Sequence, residues 1–180
     1  MLTSMGIFDF FRRRKESSNK NRTHNSPQKT GPPISEIVGE LHPNWIDPDI
    51  YFSEPLEIPY FDKEMLAIGI GAADHKESLY KADKALANFM NLNATDRLSD
   101  TREVLNYYQT CLNHGMSKKL KIKDDIDIWN YVTPSEIMVE SISGEGTLIM
   151  VNCECEWEEE HGLMLIFKNG KELISVGGIE

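Results

Sequence analysis

Four β-prone runs joined by short polar turns fill the last 46 residues, and this pattern constrains the fold more than any other feature of the chain. Glu136–Ile142 reads as a strand, "SGEG" as a turn, Thr147–Trp157 as a long strand and "EEEHG" as a second turn. Leu163–Lys168 and Lys171–Val176 follow as strands across "NG", the two-residue pair favoured in primed hairpin turns. Sequential strands joined by turns this short pair antiparallel. The C-terminal part is therefore expected to be a four-stranded meander.

The segments before it complete the architecture. "LEIPYF" (Leu56–Phe61) and "MLAIGIG" (Met65–Gly71) are β-prone and separated by "DKE", a hairpin signature, with Pro59 restricting the first strand to an edge or bulge. Ahead of them "ISEIVGELHPNWIDPDIYFSEP" is broken by Pro43, Pro48 and Pro55 and reads as a short helical turn and an extended lead-in. Two amphipathic helices are expected between hairpin and meander. In the first, Leu79, Ala82, Leu86, Phe89 and Met90 share a face, with Lys76, Lys81, Asp83, Lys84 and Asn88 opposite, and Asp74 and Glu77 have capping-box spacing. After a break at "NLNATDRLSD", Asp100 and Glu103 repeat that spacing, Val104, Leu105, Tyr108, Cys111 and Leu112 form the stripe, and Gly115 supplies the stop. The expected fold is α+β, an antiparallel sheet of five or six strands with two helices packed on one face. At 180 residues and 40% hydrophobic content the chain is long enough for one such core and short for two.

The first 34 residues are of another kind. Between Phe11 and Ser35 hydrophobic periodicity is absent, and the composition of Arg, Lys, Ser, Asn, Gln, Gly and Pro cannot bury enough apolar surface to offset its ordering entropy. Residues 1–34 are thus expected to be a disordered basic tail, and residues 35–180 a single domain. Ile7, Phe8, Phe10 and Phe11, followed by Arg12–Lys15, make up a short amphipathic start suited to weak contact with an anionic membrane surface. Translation starting at Met5 would expose Gly6, but Phe10 stands where a myristoylation pattern wants Ser or Thr. No run approaches the roughly 18–20 apolar residues that cross a bilayer, and the start lacks a secretory signal. A cytoplasmic location is expected, with Cys111, Cys153 and Cys155 as reduced thiols.

Charge divides the same way. Residues 1–34 hold seven Lys/Arg against Asp9 and Glu16, a net of +5, while the remaining 146 hold twelve against twenty-seven, a net of −15. An acidic domain of this kind repels nucleic acid, which is bound by clustered Lys/Arg, and attracts a basic macromolecule at long range; acidity also confers solubility on its own.

"CECEWEEEHGLMLIF" (Cys153–Phe167) concentrates the candidate chemistry. Strand alternation places Ile149, Val151, Cys153, Cys155 and Trp157 on one face and Met150, Asn152, Glu154 and Glu156 on the other, so the cysteines fall on the apolar side as core residues and the glutamates on the wet side. Cysteines two apart in a strand approach the upper Cα separation for a disulfide, roughly 6.8 Å, with side chains nearly parallel. Zinc wants four ligands, and no second pair complements them: Cys111 stands alone, and His24, His42, His75 and His114 are scattered. Glu158, Glu159, Glu160 and His161 remain at a turn. Three carboxylates beside an imidazole suit acid/base work or a divalent cation; the plainer view is a solvated hairpin loop whose left-handed residue is Gly162. No Ser/His/Asp order, phosphate loop, paired-carboxylate signature or HExxH accompanies them, so neither a catalytic residue nor a cofactor is assigned.

"DIWNYVTPSEIMV" and "VNCECEWEEEHGLMLIFKNGKELISVGG" resemble the C-terminal signature of small bacterial domains of unknown function, C-x-W-[DE]-x-EHGL followed by an apolar run, Lys, Asn or Asp, and Gly. Cys155, Trp157, Glu160, His161, Gly162 and Leu163 carry it here, ending at Gly170; "EPLEIPYFDKEMLAIGI" and "ADKALANFMNL" are similar to such domains too. Some relatives are immunity-like or accessory proteins beside polymorphic toxins. The resemblance implies a non-enzymatic module that binds a protein partner. Joined to the charge balance, it gives an expected basic partner met by Glu158, Glu159, Glu160 and His161, with a metal-dependent or acid/base enzyme built on the same turn as the alternative.

Overall fold

The computed structural model describes residues 31–115, 118–142 and 146–178. The basic tail up to residue 30, with the Ile7–Lys15 segment and both candidate start sites, lies outside the described residues, as does most of the "SGEG" turn. Among the described residues ten strands are β1 (Ile34–Ser35), β2 (Gly39–Pro43), β3 (Ile50–Ser53), β4 (Leu56–Ile58), β5 (Glu64–Leu66), β6 (Ile68–Gly71), β7 (Val132–Ile142), β8 (Gly146–Cys155), β9 (Leu163–Lys168) and β10 (Glu172–Gly177). Two α-helices, α1 (Lys76–Phe89) and α2 (Ala94–Asn113), lie between β6 and β7.

The meander forms. β7, β8, β9 and β10 pair antiparallel in sequence order, and the Asn169–Gly170 turn has the positive φ at both residues, 52° and 67°, that the primed hairpin type requires. β7 starts earlier than expected because Pro134 is accommodated: the register shifts between Pro134 and Glu136, and β6 borders β7 only at Ile137–Val139, so Pro134 has a single neighbouring strand.

The sheet is larger than expected, eight strands in the order β1-β2-β3-β6-β7-β8-β9-β10 rather than five or six, and it is not wholly antiparallel. The proline-rich lead-in contributes β1, β2 and β3 instead of a helical turn and an extended run. Its strands are short, and in β2 only Leu41 is buried, so the hydrophobic signal that would announce them is slight. "LEIPYF" does not join this sheet. β4 ends before Pro59, a 3-10 turn takes Pro59–Phe61, and β4 pairs with β5 in a separate two-stranded ribbon. β6 then lies parallel to β7, because the helices between them form a crossover and parallel neighbours need one.

Both helices lie on one face. Leu86 and Phe89 of α1 and Val104, Tyr108 and Cys111 of α2 share one buried cluster with Ile137, Val139, Ile149, Val151, Leu165 and Phe167 of the sheet. The cap of α2 lies seven residues before the expected one: Asn93 is the N-cap, accepting from Thr95 N at 2.8 Å, while Asp96 accepts from Asn93 N at 2.9 Å. Asp100 sits inside the helix instead and accepts the Tyr60 hydroxyl at 2.9 Å, with burial raising its pKa above the ordinary carboxylate value. α1 is capped by His75 without a side-chain bond rather than by Asp74. Asp83, expected on the solvent side of α1, is buried and accepts Ser35 Oγ at 2.5 Å and Glu36 N at 3.1 Å. This pair fastens β1 to α1. The other face of the sheet is also drier than alternation implied, since Leu148, Met150, Met164 and Ile166 are buried there while Glu154 is exposed.

Candidate functional site

The turn between β8 and β9 is built on a buried carboxylate. As β8 ends, Cys155 and Trp157 continue the apolar face inward, and the Trp157 ring meets Tyr108 edge-on at 5.7 Å. Glu158 comes next and also turns in, at 5% exposure. Its Oε1 accepts from Glu160 N and His161 N, each at 3.3 Å, and lies 3.3 Å from His161 Nδ1. Gly162 N closes the turn onto Glu158 O at 2.9 Å, and φ at Gly162 is 58°, the left-handed position read from the sequence. Tyr107 of α2 donates its hydroxyl to Gly162 O at 3.1 Å, so the turn is fixed from below. A carboxylate that bridges two successive backbone N–H groups holds a loop rigidly, because removing it would orphan both.

The outer side chains stay in water. Glu159, Glu160 and His161 are exposed, and so are Glu154 and Glu156 on the strand that leads into the turn. Together they border a cleft of about 540 Å³, whose far wall is formed by Tyr131, Thr133 and Ser135 from the start of β7. Four exposed carboxylates around one concavity give it a negative potential that suits a Lys or Arg side chain. A smaller cleft of about 360 Å³ borders the other side of the turn, between Trp157 and the residues Gly115 and Lys118 that follow α2.

Domain of unknown function DUF6985 is the family whose model matches the chain, over residues 37–180. The chain belongs to this family. No curated protein and no solved structure matches it. The DUF6985 span takes in the clefts, the turn, both helices and most of the sheet.

The structure divides the four residues named from the sequence of this DUF6985 domain. Glu159, Glu160 and His161 are on the surface, and Glu158 is the internal brace on which they stand. The cysteines lie beneath. All three are free and buried; burial pushes the Cys155 thiol up to about 12 and raises those of Cys111 and Cys153. Neutral buried thiols are poor nucleophiles. Among the described residues no three His, Cys, Asp or Glu side chains converge in a way that would hold a metal ion, and no helix is long and apolar enough to cross a membrane. Sequence reasoning missed that Glu154 and Glu156 join the turn's carboxylates at one cleft. Alternation gave their common face, but the β7 wall that makes that face concave comes from pairing across the sheet.

Proposed function

We propose that this DUF6985 domain is a non-enzymatic cytoplasmic module that binds a basic protein partner, presenting Glu154, Glu156, Glu159 and Glu160 to it with His161 at the rim. The observation that carries this reading is the concave acidic cleft on a turn fixed by the buried Glu158. A preorganised site loses little conformational entropy on binding, and the −15 balance after residue 34 steers a cationic partner toward it. An immunity-like or accessory role in a bacterium, as the sequence resemblance implies, falls within this class. The test is the association rate with the partner against ionic strength, for the wild type and for a Glu154→Gln/Glu156→Gln/Glu159→Gln/Glu160→Gln variant. The wild-type rate should fall steeply as salt shortens the Debye length, and the variant should be slower and flatter. A rate indifferent to both would remove the proposal.

The 3.3 Å contact between His161 Nδ1 and Glu158 supports a second reading, an acid/base enzyme whose imidazole is oriented by a carboxylate. His161→Ala separates the two. Loss of a catalytic activity with the fold intact would favour the enzyme, whereas a small loss of affinity for a protein partner would favour the binding module.

A further inference from the structure

We propose that a second cleft, at the end of the sheet away from the acidic turn, binds a small phosphate-bearing anion. It has a volume of about 970 Å³ and runs along α1 from Lys76 to Asn88, bounded on the other side by the neighbouring ends of β7 and β8 and by Asn169 and Lys171 of the β9–β10 turn. Lys76, Lys81, Lys84 and Lys171 line it, four of the twelve Lys/Arg after residue 34, and Glu77 is the single carboxylate among the described lining residues. The described lining thus carries +3, within a stretch of the chain whose balance after residue 34 is −15. A local reversal of sign creates the field an anion needs.

Glu77 is taken up by Lys81 at 2.6 Å, and the Lys84 ammonium lies 4.5 Å from the Tyr80 ring centroid. Lys76 and Lys171 are exposed and have no ion-pair partner among the described residues. Lys76 also opens α1, where the positive end of the helix dipole makes a cation unfavourable, so its charge is uncompensated twice over. The Ser78, Ser141 and Thr147 hydroxyls add hydrogen-bonding groups to the lining; Ser141 and Thr147 are held together at 3.1 Å, and Asn169 Oδ1 fixes Thr147 N at 3.1 Å. The position has a precedent in general fold physics. β6 and β7 are the parallel pair of this sheet, and ligands of α/β units gather beyond the carboxyl ends of parallel strands. A compact anion fits within the basic area. A nucleic-acid strand would run its phosphates out of the cleft onto the acidic remainder.

Calorimetric titration of the full chain with inorganic pyrophosphate at fixed ionic strength tests this. The expected result is saturable one-to-one binding that weakens about tenfold or more in Lys76→Gln/Lys171→Gln, since each charge-assisted contact is among the stronger hydrogen bonds. Lys118→Gln/Lys121→Gln, with equal charge removed elsewhere, should bind as the wild type does. All four lysines are exposed, so both variants should fold, and circular dichroism checks that. Absence of saturable heat, equal loss in the two variants, or tighter binding of a single-stranded oligonucleotide than of pyrophosphate would each overturn the proposal.

Discussion

At the scale of the residue, Glu158 has the most specific role. It reads in the sequence as one of three equivalent turn glutamates, yet it alone is buried and holds two backbone N–H groups. Glu158→Ala should cost about 1–3 kcal/mol of stability by orphaning them. Glu159→Ala and Glu160→Ala, both exposed, should each stay within about 0.5 kcal/mol; urea denaturation midpoints distinguish these outcomes. The thiols give a pH dependence. In the unfolded chain a cysteine ionises at its ordinary pKa of about 8.5, whereas burial pushes Cys155 up to about 12 and raises Cys111 and Cys153. The unfolded state therefore loses these protons first as pH rises. The stability linked to them is full below the ordinary thiol pKa and is lost as pH climbs through the raised values. Denaturation midpoints should fall between neutral and strongly alkaline solution, and a disulfide reagent should label no thiol in the native protein and all three after unfolding.

At the scale of the element, the turns and caps carry what can be tested. Gly170 combines a positive φ with close packing: a Cβ there would overlap Ala85 O of α1. Gly170→Ala should therefore destabilise by roughly 2 kcal/mol or more, beyond the usual cost of a left-handed alanine. Asn93→Ala should cost about 1 kcal/mol through loss of the α2 cap, whereas Asp74→Ala should cost almost nothing. Thermal unfolding compares all three. The elements most legible in the sequence were those with a strong local period. The meander, the stripes of both helices and the Asn169–Gly170 turn were all visible there. What was not legible depends on distant partners. β1, β2 and β3 are short and interrupted by prolines, and they become strands because β6 gives their run an edge to pair with. Asp83 has the look of a solvent-facing helix residue, and it is buried because Ser35, 48 residues away, comes to meet it.

At the scale of the whole molecule, charge is organised by position in the sheet. The end of β8 and the β8–β9 turn carry a cluster of four exposed carboxylates, and the opposite end of the sheet carries the lysine cleft. Composition revealed the acidic balance but not its division, because three of the cleft's lysines lie on α1 among acidic neighbours and the fourth, Lys171, joins them only where the β9–β10 turn packs on that helix. The candidate binding turn was legible as a cluster of residue types; its concavity and its brace were not. Neutralising the acidic end should leave the fold intact, since its four glutamates are exposed. Mutual repulsion among them should fall, so the Glu154→Gln/Glu156→Gln/Glu159→Gln/Glu160→Gln variant should melt at or slightly above the wild-type temperature. Binding of a basic protein at this end is read most plainly by native mass spectrometry of the protein recovered gently from its own host, beside that variant. A stoichiometric basic protein should be present on the wild type and lost from the variant. A partner retained equally by both, or a bound small molecule or divalent metal lost on His161→Ala in place of a protein, would contradict it.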